Sequence, residues 1–332
     1  MKKNLSKFIS NLANIPEIPP EIKVDNTDLI KQWQDWVLSN SFTANYLNTL
    51  LILTSRQDFP FTIPIGYSLK YVQDPGSFRQ TISQLSTEIR IALTDARENL
   101  NRVHTGMDTV PNELQNVFLF LKEVPKDSFI LFFPNSINKI ENLVNNSLIV
   151  LRKPKEKFEQ VLNLLTEIDL LLTVTPIDQM LALQVSDVKT QWTLLNELIN
   201  ELAKHAENAR ETFISQFNWI LTEILEPGMP FDDSIRNFII RLLTPRIIEL
   251  DQTSDLLGIV TKTYTDISFE YTDEKIGGNA HLILLTDENI RKQDLKELLY
   301  ELPSIAVQFA RLALKRHTEF LQRDQNRKAK YE

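Results

Sequence analysis

Four histidines, His104, His205, His281 and His317, are the first candidates for chemistry, because imidazole is a common metal ligand and titrates near neutrality. None has a partner at metal-ligand spacing, and neither HExxH nor HxH occurs. His104 and His205 fall on predicted long helices near an apolar seam, where packing or solvent contact is the expected role. The chain has no cysteine, which removes disulfides, thiolate nucleophiles and cysteine-ligated zinc. The phosphate-cradling loops GxxxxGK[ST] and GxGxxG are missing, as is the GxSxG nucleophile turn. Two carboxylate pairs remain. Asp232-Asp233 follows the break at Pro230 and reads as the cap of a helix starting at Ser234. Asp273-Glu274 ends an amphipathic segment and reads as solvated. A hydrolase would need two such carboxyls facing one cleft, which linear sequence does not display. The expectation is a protein without catalytic, metal-binding or cofactor-binding residues, with an unrecognised hydrolase as the weaker alternative.

The elements around these residues are helical. Only seven glycines occur in 332 residues, too few for the tight turns of a β-sandwich or a doubly wound fold. From Pro176 to Pro227 there is no proline or glycine, and apolar residues recur at three- and four-residue steps. The stripe is Leu181, Val185, Val188, Trp192, Leu195, Ile199, Leu202, Ala206, Ala209, Phe213 and Ile220, interrupted only at Gln216. A helix over that whole segment would be about 75 Å long, and only other long helices bury such a length. A second stripe (Phe78, Ile82, Leu85, Ile89, Ala92, Ala96, Leu100, Val103, Met107) starts after a Ser77 cap. A third helix is expected over 155–175, with Pro176 read as a kink into the next helix rather than a break.

Near the start, Thr27 or Asp28 caps a helix carrying Leu29, Ile30, Trp33, Trp36 and Val37, and Ser41 restarts one through Tyr46, Leu50 and Leu53. Phe59 to Ile65 is too rich in proline for a central strand and reads as an extended connector. Pro227-Gly228-Met229-Pro230 is a stop, Pro245 starts a helix, and Gly277-Gly278 ends it. His281 to Leu285 reads as a short strand or buried extended piece, and a last helix runs from Ser304 to about Asn326. The reading is all-α: an elongated bundle of long helices with a short, tongue-like apolar hairpin. Residues 1–76 form a helical arm and connector, 77–276 the long-helix bundle, and 277–332 a C-terminal helix with a basic tail.

The hairpin is the departure from a plain bundle. Val117-Phe118-Leu119-Phe120-Leu121 and Phe129-Ile130-Leu131-Phe132-Phe133 are apolar runs without period 2 or 3.6. The charged, proline-centred stretch Lys122 to Ser128 joins them. As core they would plug the bundle where it is widest; as a tongue they would dip into a membrane interface. Their place, between the 78–107 helix and the 177–226 helix, resembles the α-helical pore-forming toxins of the cytolysin A and xenorhabdolysin type. The resemblance is architectural and covers residues 77–276. It implies a rod whose apolar tongue inserts after rearrangement, with homo- or hetero-oligomers. The runs are short and Lys122, Glu123, Lys126 and Asp127 lie between them. A subunit of a multi-component toxin accommodates both facts.

Net charge is −8, yet residues 311–332 carry a surplus of four positive charges, leaving −12 on the rest. An acidic body argues against nucleic acid. The basic tail suits anionic lipid, an acidic partner or, most simply, a solvated helix end. The Lys2-Lys3 start is followed by Asn4 to Asn11, which breaks any apolar run before a secretory core forms. No stretch reaches the roughly 18 apolar residues of a spanning helix. The expected setting is therefore cytoplasmic or release without a classical signal. The expected partners are a lipid membrane, a second protein subunit or both. The competing reading is an intracellular scaffold or adaptor that offers grooves to partner helices.

Overall fold

A computed structural model describes residues 27–54, 57–219, 232–269 and 288–331. It is an elongated, all-helical bundle, without strands among the described residues. The helices are α1 (Thr27–Thr54), α2 (Phe78–Met107), α3 (Val110–Glu123), α4 (Lys126–Val174), α5 (Gln179–Trp219), α6 (Asp233–Phe269) and α7 (Glu288–Lys330). The longest among the described residues, α4, has 49 residues, about 74 Å at the ordinary helical rise.

The seams are those that periodicity predicts. Every described residue of the α5 stripe, Leu181 through Phe213, is buried, and so is every residue of the α2 stripe. Ile220 lies outside the described residues, as do the breaks at 227–230 and 277–278 and the extended piece at 281–285. Cross-helix pairs give the directions. Lys189 meets Asp169 at 2.7 Å, and the Trp192 indole donates to the Phe158 carbonyl at 2.9 Å while stacking on that ring. Phe217 then meets Phe133, so α5 runs antiparallel to α4. Lys153–Asp95 and Lys139–Glu113 set α2 and α3 antiparallel to α4 in the same way. On α7, Arg316 pairs with Asp266 and Arg327 with Asp255 and Asp251, which sets α7 antiparallel to α6.

Local signals decided some boundaries and tertiary burial decided others. Ser77 caps α2: its Oγ accepts from the Gln80 N–H at 3.1 Å and donates to Asp58. Asp232 caps α6 by accepting from the Ser234 and Ile235 N–H groups, each at 3.0 Å. Residues 57–64 form the expected connector, without helix or strand. By contrast, α1 passes through Ser41 without restarting, because Ala44, Leu47 and Leu50 continue the buried face of Trp33 and Val37. Pro245 lies inside α6 rather than at its start, and α4 runs through Pro134 and Pro154 to cover the whole span from Lys126. An interior proline costs about 3 kcal/mol. The buried neighbours Phe133, Ile137, Leu151 and Phe158 offset it in α4. Pro176 does break the chain: Thr175 is extended at φ −91°, ψ 126°, the conformation that a following proline imposes. The last helix starts at Glu288, earlier than Ser304.

Candidate functional site

The two apolar runs meet at one end of the bundle. Val117–Leu121 occupies the last turns of α3 and Phe129–Phe133 the first turns of α4, joined at Val124-Pro125. Both runs belong to bundle helices, and their helical period divides them into two sets. Val117, Phe118, Leu121, Phe129 and Phe133 point inward and are buried. Phe129 lies 4.6 Å from Phe133, and Phe133 stacks toward Phe217 of α5 at 6.2 Å. Outward stand Leu119 at 42% exposure, Leu131 at 63% and Phe132 at 48%. Half-buried Phe120 stacks on Phe132 at 6.2 Å, which bridges the two helices. The side chain of Ile130 is not among those described.

The turn is secured from α6. The Arg236 guanidinium donates to the carbonyls of Lys122 (3.1 Å) and Val124 (2.7 Å), satisfying groups that the end of α3 leaves open. The Lys122 ammonium lies 4.5 Å above the Phe118 ring, and Tyr331 at the end of α7 meets that ring edge-on at 5.4 Å. The tip thus gathers residues from α3, α4, α5, α6 and α7.

The basic tail is solvated along much of its length, with Arg311, Lys315, Arg323, Lys328 and Lys330 exposed, but Arg327 turns inward. Arg327, only 6% exposed, reaches Asp251 (3.2 Å), Asp255 (2.7 Å) and Asp324 (3.1 Å). Burial alone would lower its pKa, but these carboxylates raise it, so the guanidinium stays charged. Arg323 and Lys330 reach the same two α6 aspartates. Beside this ladder lies a groove of about 750 Å³ between the α2–α3 corner, α6 and α7. Four of the tail's basic residues, Arg316, Arg323, Arg327 and Lys330, thus pair with aspartates of α6.

At the opposite end the connector is pinned on α4. Buried Glu167 accepts from the backbone N–H groups of Lys70 (2.8 Å), Tyr71 (2.6 Å) and Val72 (2.7 Å), and from the Tyr67 hydroxyl at 3.2 Å. Burial alone would raise its pKa; the four donors outweigh that and hold it below the usual glutamate range. Glu167 was legible as one of two carboxylates, with Asp169, inside the apolar run Leu164, Leu165, Ile168, Leu171, and it lies on the buried side of that run. The Asp251/Asp255 and Arg323/Arg327 pairs were legible as matching four-residue spacings.

The remaining candidates are dispersed. His205 is buried 3.6 Å from Glu201, and His317 lies against Trp33 with its ring centroid 5.8 Å away. Burial pushes the His317 pKa down. His104 borders the α2–α6 contact at Gly258, and His281 and Asp273-Glu274 lie outside the described residues. Among the described residues no group of three or more metal-ligating side chains forms. No described helix is long and apolar enough to cross a membrane. Comparison with known proteins finds no matching family model, no matching curated protein and no matching solved structure.

Proposed function

We propose that this chain is a non-enzymatic helical protein that acts at membranes, pore-forming-toxin-like or one subunit of a multi-component pore former. The observation that carries this reading is the α3–α4 tip. Leu119, Leu131 and Phe132 stand outside one end of a long bundle, backed by a second, buried layer of the same two runs. Leaving three large apolar side chains about half exposed around one turn forgoes roughly half of the 1.5–3 kcal/mol that full burial of each would give, a cost that an apolar partner phase recovers. In this reading the outward layer enters the interface first. The inner layer, Phe118, Phe129 and Phe133, follows if α3 and α4 separate from α5 and α6.

Dye release from liposomes of mixed neutral and anionic lipid, with co-sedimentation of the same samples, tests the proposal. Wild-type protein is expected to bind, and Phe132→Asp to bind at least about tenfold more weakly, as loss of one buried aromatic implies. The circular dichroism of the variant should match wild type, because Phe132 is half exposed. Equal binding of the two would remove the tip from the mechanism. Binding with leakage identifies a self-sufficient pore former, and binding without leakage a subunit.

One observation favours the scaffold reading. Val307, Leu314 and Leu321 lie at seven-residue intervals on α7, and all three are exposed. That is one half of a coiled-coil seam. Capture of a defined helical partner that Leu314→Asp abolishes, together with indifference to lipid, would select this alternative.

A further inference from the structure

The end of the molecule farthest from the tip carries an apolar projection of its own. Pro64 to Tyr67 form a tight turn closed by the Tyr67 N–H on the Pro64 carbonyl at 3.0 Å, with Gly66 at φ 80°. Ile65 at its apex is 107% exposed, and nothing lies within 4 Å of a Cβ built on Gly66. Ile63, Tyr67 and Tyr71 flank it, each more than a third exposed, and Leu170 and Val174 of α4 are exposed as well. The mounting is stiff. Glu167 holds the returning strand of the loop, the Thr62 N–H donates to Thr175 Oγ1 at 2.9 Å, and the Phe61 N–H donates to the Pro75 carbonyl at 2.8 Å. A rigid loop that presents an isoleucine to solvent is preorganised for contact.

The two apolar ends share one side of α4. Leu131 and Glu167 are separated by about ten full helical turns, so the connector covers the same outward face from which Leu131 projects. Between them that face carries few acids, Glu156 in line and Glu159 beside it. Asn135, Asn138, Asn142, Asn146, Ile149 and Lys153 follow one another at helical spacing and are exposed. On the connector, Phe59 to Gln73 contains no acid and one base, Lys70. In a chain of net charge −8, a long acid-poor stripe with apolar and tyrosine-bearing ends suits the headgroup zone of a bilayer.

We infer that the closed bundle lies lengthwise on a bilayer along this face of α4, anchored at one end by the Leu131/Phe132 tip and at the other by the Ile65 turn. The inference rests on the membrane reading and adds to it a second anchor and an orientation. The absence of cysteine allows a direct test. Ile65→Cys, Ile149→Cys, Phe132→Cys and Leu314→Cys, each bearing an environment-sensitive fluorophore, are mixed with vesicles of phosphatidylcholine and phosphatidylserine. The expected result is a blue-shifted, at least about twofold brighter signal at 65, 132 and 149 and none at 314, since α7 packs on α1 and α6. Ile65→Asp should weaken vesicle binding about tenfold with unchanged circular dichroism. A response at 132 with silence at 65 and 149 overturns the inference and leaves the tip reading standing. Silence at all positions overturns both. A response at 65 that needs only higher protein concentration, without vesicles, makes the turn a contact between copies and overturns the lipid assignment.

Discussion

Glu167 shows what one side chain contributes to this fold. Its two oxygens accept three backbone N–H groups and a hydroxyl that would otherwise lack partners beside an apolar helix face. In Glu167→Gln, an amide N–H₂ must replace one accepting oxygen and will oppose some of these donors. The expected loss is on the order of 3 kcal/mol, read as a lower midpoint in denaturant unfolding. The pH dependence has a fixed sign. Because the folded-state pKa of Glu167 is depressed, its contribution is complete above the unfolded glutamate value of about 4.3 and fades as the pH falls through the folded value. The gap between wild type and Glu167→Gln should therefore narrow below that pH. Glu167→Asp, one methylene shorter, is expected to fall between them.

At the scale of elements, the described part of α7 joins a few buried apolar residues to a ladder of ion pairs with α6. Of its described residues, Phe309, Ala313, Phe320, Arg327 and Tyr331 are buried, whereas Val307, Leu314 and Leu321 face out. Arg327→Met leaves Asp251, itself 2% exposed, beside Asp255 with less cationic compensation. Breaking one side of a buried pair costs about 3–5 kcal/mol; the remaining Arg323 and Lys330 place the expectation near the lower figure. Adding Asp251→Asn should restore most of the loss, and chemical unfolding of the single and double variants measures it. His317 provides a second handle on the same helix. Burial lowers its folded-state pKa, so its neutral form favours the docked state, and stability falls as the pH drops through about 6.5, the unfolded value. His317→Leu should remove that component, so its stability relative to wild type rises between pH 8 and pH 5.5.

For the molecule as a whole, helix length sets the shape. A compact chain of this length would have a radius of gyration of about 20 Å. An antiparallel bundle built on a 49-residue helix must exceed that clearly, which small-angle scattering of the protein without lipid will read. The same shape separates the α3–α4 tip from the Ile65 turn by most of the length of α4, so lengthwise and end-on docking are distinct. Dye release and fluorophore position thus address different halves of the proposal.

Much of this architecture was written locally. The buried stripes of α2 and α5 follow from side-chain spacing, because a helix buries whatever recurs at its own period. Ser77 and Asp232 act as caps because a short side-chain oxygen can reach the free N–H groups of the next turn wherever that motif occurs. What local reading misjudged were the prolines. Pro245, read as a helix start, lies inside α6; the helix expected from 155 runs back through Pro154 and Pro134; and Pro176, read as a kink, ends α4, since burial against other helices decides which prolines a helix passes. The tip residues were also legible as an apolar group around a charged joint, but they read as a hairpin insert, whereas they are the ends of two bundle helices. Only the tertiary structure divided them into an inner and an outer layer, because which side of a helix faces a neighbour depends on where the neighbour is. The same holds for the basic tail, where Arg316 and Arg327 found partners fifty and 72 residues away on α6. It holds for Ile65 as well. Nothing in its immediate sequence marks it as exposed; it projects because Glu167, on a helix distant in sequence, fixes the loop beneath it.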